Sequence, residues 1–204
     1  MSPLPPCRPT PIRWSAAALL ALAVAVPVSA QQVPDTTFSP PVPSPAFAPG
    51  TGPVVLIDEG HHNFHTLGGR FAAFARLVAR DGFVTRAHAG RFTRAALDPA
   101  RVLVVSNALA ERNEEDWYRP VLSAFDTAEV RAVEGWVREG GALLLVADHM
   151  PFGGAAAELA AAFGVLLTDG FAQDAAGQMN FRLRRGDGRV RAHPVTDGRG
   201  PEER

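Results

Sequence analysis

The chain has 204 residues, 47% of them hydrophobic and 20% charged, with a formal net charge of −1. That composition is enough for one globular domain with a full core and offers no basic footprint for nucleic acid. All 20 basic residues are arginine and the only cysteine is Cys7, so Schiff-base lysine chemistry and a phosphate-loop lysine are excluded.

Residues Ala16–Val26 form an uninterrupted apolar run of 11 residues after Arg8 and Arg13, and Pro27-Val28-Ser29-Ala30 follow it. A charged start, an apolar middle too short to span a bilayer and a small-residue exit predict a secretory signal cleaved near Ala30. The expected location is therefore secreted or periplasmic, with no transmembrane segment left after cleavage. Removing the two arginines moves the formal charge to −3 and takes Cys7 away, leaving no disulfide, thiolate ligand or cysteine nucleophile. Residues 31–52 carry six prolines among small polar residues and are expected to be a linker.

From Pro53 short apolar runs alternate with amphipathic ones. Val54–Ile57 predicts a first strand; Leu67, Phe71, Phe74 and Val78 share one face of a helix ending near Gly82. Phe83–Ala87 and Val102–Val105 predict two more strands, and the roughly 20 residues after Asn107 are too long for an ordinary connection, part helix and part lid. Asp126 with Glu129 three positions later marks a helix start, and Val130, Val133 and Val137 continue it to Gly140-Gly141. Ala142–Ala147 reads as the most buried strand, Ala155–Phe163 as a short helix and Val165–Thr168 as a fifth strand. Two short strands joined at Gly186-Asp187-Gly188 predict a C-terminal hairpin. The whole is an α/β fold: a doubly wound, mainly parallel sheet flanked by helices over residues 53–204, with the chain expected to be truncated at its C-terminus.

In such a sheet the loops after the strands gather along one edge, where ligands bind. Asp58, Glu59, His61, His62, Asn63 and His65 follow the first strand, Ser106 and Asn107 the third, and Asp148 and His149 the fourth. Four of the six histidines thus fall at two strand ends. A ligand site there draws on Asp58, His61, His62, Asn63 and Asn107, with Gly68 and Gly69 offering backbone N–H groups to an anion. A metal site holding zinc or a similar divalent ion draws on Asp58, His61, His65 and His149, with Glu59 as base on a bound water and Asp148-His149 as an acid–base pair. The same residues also suit a purely structural role, bonding to backbone to hold loop shape. Ser106 is a weak nucleophile candidate, since Val104 and Ala108 flank it where a nucleophile elbow wants small residues on both sides.

The runs Leu56-Ile-Asp-Glu-Gly-His-His-Asn-Phe-His65, Gly140-Gly-Ala-Leu-Leu-Leu-Val-Ala-Asp-His-Met-Pro-Phe152 and His193-Pro-Val-Thr196 resemble an uncharacterised bacterial family within the class I glutamine amidotransferase-like group. The resemblance covers roughly Pro53 to the end and implies a flavodoxin-like sandwich. It also implies that amidotransferase activity is absent, because the cysteine nucleophile of that group has no counterpart here. Related members without that activity make a small polar ligand, carbohydrate among the candidates, the expected partner. The alternatives are a metal-assisted hydrolase and a non-catalytic module of an envelope assembly.

Overall fold

The computed structural model describes residues 33–180, 182–198 and 200. The predicted signal segment and its cleavage point lie outside the described residues. Four strands, β1 (Val54–Asp58), β2 (Val84–His88), β3 (Val102–Ser106) and β4 (Ala142–Val146), form one sheet in the order β2-β1-β3-β4. Every pairing is parallel, so all four C-terminal ends emerge along one edge. β1 and β3 are the central strands and are buried over four of their five residues. Their β-branched runs suit a pleated surface covered on both faces.

Register and burial define the two layers. Leu56, Leu103 and Val105, with Leu143 and Leu145, face a core closed by Leu97, Val133, Trp136 and Leu159. Leu97 comes from α2 (Arg94–Leu97), Val133 and Trp136 from α3 (Thr127–Arg138), and Leu159 from α5 (Ala157–Ala161), which follows the short helix α4 (Phe152–Ala155). On the opposite face Val55, Ile57 and Val104 pack against Ala75, Phe71, Phe74 and Val78 of α1 (Ala72–Arg80) and the turn before it. Burying each of the fully enclosed Leu and Val side chains stabilises the sheet by about 1.5–3 kcal/mol. α3 opens as its sequence predicts: the Asp126 carboxylate accepts from the N–H groups of Ala128 and Glu129, and Glu129 reaches back to the Asp126 N–H.

Four expectations need correction. Ala142–Ala147 is not the most buried strand: β4 has no buried residue where β1 and β3 have four each, because it stands at the end of the sheet and, among the described residues, pairs only with β3. Val165–Thr168 is not a strand; the Val165 N–H donates to the Ala160 carbonyl and closes α5 beyond Gly164 at φ 73°. The predicted hairpin is present only as a turn, with Gly188 N–H donating to Arg185 O and Val190 N–H to Arg184 O. No strand flanks that turn among the described residues, because its arginine-rich arms are exposed and have no sheet to join; Phe181 lies outside the described residues. The segment after Asn107 contains a single 3-10 turn, Glu111–Asn113, fixed by the buried Asn113 side chain, which donates to the Asp116 and Pro120 carbonyls. The C-terminal stretch adds one more short helix, α6 (Pro194–Asp197). The proline-rich stretch has no regular structure but is partly docked: Phe47 packs edge-on against Phe83 at 5.0 Å, and its N–H donates to Asp81 O.

Candidate functional site

The loop leaving β1 is organised by one carboxylate. Asp58, fully buried, accepts from the Gly60 N–H at 3.1 Å, from Asn63 Nδ2 at 2.9 Å and, through both oxygens, from His61 Nδ1 at 2.9 and 3.0 Å. Gly60 is required for this turn, since a Cβ there would stand 2.6 Å from the Gly90 carbonyl oxygen. Asn63 is equally committed: its Oδ1 accepts from the His61 N–H and its Nδ2 also reaches the Ser106 carbonyl at 3.3 Å. His62 takes the left-handed conformation at φ 46° and pairs with Glu114 at 2.7 Å.

His61 joins two parts of the chain 68 positions apart, because its Nε2 lies 3.0 Å from Glu129 Oε1 at the first turn of α3. Both ring nitrogens therefore meet carboxylates. Burial, the largest single influence, disfavours the charged ring. Hydrogen bonding and charge from Asp58 and then Glu129 together outweigh it, and the His61 pKa lies above its ordinary 6.5. A carboxylate at each nitrogen favours the imidazolium, which donates from both when protonated, and the ring packs between Phe92 and Phe125 at 4.5 and 4.8 Å. Glu129 is satisfied in turn by the Phe92 and Asp126 N–H groups, with Arg91 Nη2 at 3.7 Å.

A cleft of about 420 Å³ opens directly over this network. Its floor is His61, Leu109, Phe125 and Glu129, all buried, and its rim is His62, Arg91, Glu111 and Asp126, all exposed. Arg91 pairs with Asp126 across the rim. Fixed polar groups below and adjustable donors and acceptors above are what a small, multiply hydrogen-bonding ligand requires.

The other predicted residues sit on the same edge but not in this cleft. Glu59 spends Oε1 on the Leu67 N–H at 2.7 Å, which folds the loop back toward α1. Gly68 and Gly69 lie in the turn before α1, where the Gly69 and Phe71 N–H groups already donate to Thr66 O. His65 stacks on Phe71 and bonds through Nδ1 to Ser106 Oγ at 2.9 Å. Its pKa is lowered, first by burial and also by Arg70, against the opposing charge of Asp148. Neutral His65 and the Ser106 hydroxyl share this hydrogen bond; with Ser106 only 1% exposed, the pair ties loop to strand. Asn107, at φ 47°, accepts the Asp148 N–H on Oδ1, while its buried Nδ2 has no partner among the described residues. Asp148 is exposed, and His149 bonds through Nδ1 to the Met150 carbonyl and stacks on Phe171 at 4.9 Å. His149 belongs to an aromatic group with Trp117 and Phe152, separate from the His61 cleft.

The residues expected to hold a metal do not fit one. His61 has no free nitrogen, and among the described residues no group of three or more His, Cys, Asp or Glu is placed to bind an ion. Glu129, Arg91, Glu111 and Asp126 were not foreseen as site residues. The sequence marks Asp126 and Glu129 as a helix start, but nothing in the spacing says that the second oxygen of Glu129 meets His61. Comparison with protein-family models, curated proteins and solved structures finds no match. The functional reading therefore rests on the geometry.

Proposed function

We propose that this chain is an exported ligand-binding domain of flavodoxin-like, amidotransferase-like fold, without the cysteine nucleophile, that holds a small polar ligand in the His61 cleft. Carbohydrate is the leading class, because the cleft is lined by both donors (Arg91, His62) and acceptors (Glu111, Asp126), which is what neutral hydroxyls need. The observation that carries this reading is the division of the cleft into a buried, immobilised floor and an exposed polar rim. His61 and Glu129 are engaged with each other and shape the floor of the site, while Glu111 and Arg91 reach solvent. This pre-organisation lowers the cost of binding. A hydrolytic metal centre is disfavoured by the donor set described above.

The test is thermal unfolding of the full chain with neutral hexoses, a hexuronate and an N-acetylated hexosamine, each in excess. A ligand present at about a hundred times its Kd stabilises the fold by about 2.7 kcal/mol, a rise of roughly 5–11 °C for a domain of this size. The rise is expected to vanish in Arg91→Ala/Glu111→Ala. No rise with any of these sugars, or a rise the double variant leaves intact, overturns the reading.

A further inference from the structure

The segment after β3 turns acidic where it passes the His61 cleft. Within residues 111–116, Glu111, Glu114, Glu115 and Asp116 stand against a single base, Arg112. Such a run is ordinarily a solvated face, but this one is fastened to the site at both ends. Before it, the Leu109 N–H donates to the His61 carbonyl at 2.8 Å. Within it, the fully buried Asn113 donates to the Asp116 and Pro120 carbonyls and accepts from the Leu122 N–H at 3.0 Å. This fixes the turn so that Glu111 lies on the lining of the cleft, whereas Arg112, its neighbour, is not part of that lining.

The charges around the cleft do not balance. Each basic group on the lining is already held by carboxylates: His61 by Asp58 and Glu129, and His62 by Glu114. Arg91 is held by Asp126, with Glu129 farther off at 3.7 Å. The Glu111 side chain has no hydrogen bond or ion pair among the described residues. Acids therefore outnumber bases here even with both imidazoles charged, and a concave wall concentrates the resulting field. We infer that the cleft selects a ligand bearing a protonated amine, with Glu111 as its counter-ion. Resting on the carbohydrate reading above, that ligand is an amino sugar with a free amine. Its hydroxyls meet the rim and its ammonium completes the one open carboxylate. A hexuronate would add a negative charge to an already negative cleft, and N-acetylation would remove the cation, so both are disfavoured.

Calorimetric titration of the full chain in mildly acidic buffer compares glucosamine, glucose, N-acetylglucosamine and glucuronate, with ethanolamine as an ammonium that carries no ring. Glucosamine is expected to bind about fivefold more tightly than glucose or N-acetylglucosamine, the upper range for an ion pair open to solvent, and glucuronate most weakly. Glu111→Gln is expected to abolish the preference for glucosamine over glucose. Glu115→Gln, the same charge change at a residue off the lining, is expected to keep it. Glucosamine binding no better than glucose, or a preference that Glu111→Gln keeps or that Glu115→Gln also abolishes, overturns the inference while the carbohydrate reading stands. Ethanolamine binding as tightly as glucosamine overturns the amino-sugar assignment, and no binding of any sugar overturns both.

Discussion

Stability should depend on pH through His61, with a sign opposite to that from His65. The folded state holds the His61 proton more tightly than the unfolded chain does, since its pKa lies above 6.5 only in the folded protein. Its contribution is therefore complete below about pH 6.5 and fades as pH climbs through the folded-state pKa. For His65 the folded pKa is depressed, so stability is full above about pH 6.5 and declines as pH falls through the folded value. With one cysteine and one tyrosine in the chain, few other side chains titrate on the alkaline side. His61→Ala leaves two buried carboxylates facing an empty site. Breaking a buried ionic pair in this way costs about 3–5 kcal/mol. The lower end applies here, because Asp58 keeps the Gly60 and Asn63 donors and Glu129 keeps the Phe92 and Asp126 N–H groups. Denaturant midpoints across the neutral range should thus show an alkaline decline in the parent chain that His61→Ala abolishes. Glu129→Gln should shift that decline to lower pH by removing one of the two stabilising carboxylates. An alkaline decline of equal size in His61→Ala, or none in the parent, refutes this account of the network.

Two further substitutions probe the frame around the site. Gly141→Ala would set a Cβ 2.4 Å from the indole of Trp136, whose ring is 3% exposed and closes the core beneath β4. A loss of about 1–3 kcal/mol with a change in tryptophan emission is expected, and unchanged stability contradicts the packing described. Asn107→Asp keeps the acceptor for the Asp148 N–H and tolerates the left-handed backbone, but buries a charge at 1% exposure. It should destabilise the chain by at least about 2 kcal/mol at neutral pH and recover on acidification, as the carboxyl protonates. A loss that does not respond to acid points to the backbone instead.

How far these features could be read beforehand follows from their range along the chain. β1, β3 and β4 are continuous apolar runs and α3 has its capping pair within three residues, so each is encoded locally. Val165–Thr168 has the same kind of apolar run as β4, but a strand exists only where a neighbour offers a ladder, and local sequence cannot say whether it does. The strand ends pointed to one shared edge, and the four parallel strands do release their loops together there. The roles went astray where they depend on distant partners. His61 looks like a free ligand until Glu129, 68 positions downstream, takes its second nitrogen. His149 shares the edge but is drawn into the Trp117 and Phe171 aromatic group, which no spacing rule reveals.

The most direct measurement of the central claim is a nuclear magnetic resonance titration of the full chain with the sugar giving the largest thermal shift, observing the imidazoles of His61, His62 and His149 and the Arg91 guanidinium. The predicted result is saturable movement of His62 and Arg91, a smaller response at His61 with its proton retained, and none at His149. Movement centred on His149, or a protein that stays folded while no cleft resonance changes with any sugar tried, contradicts a binding site built on the His61 floor.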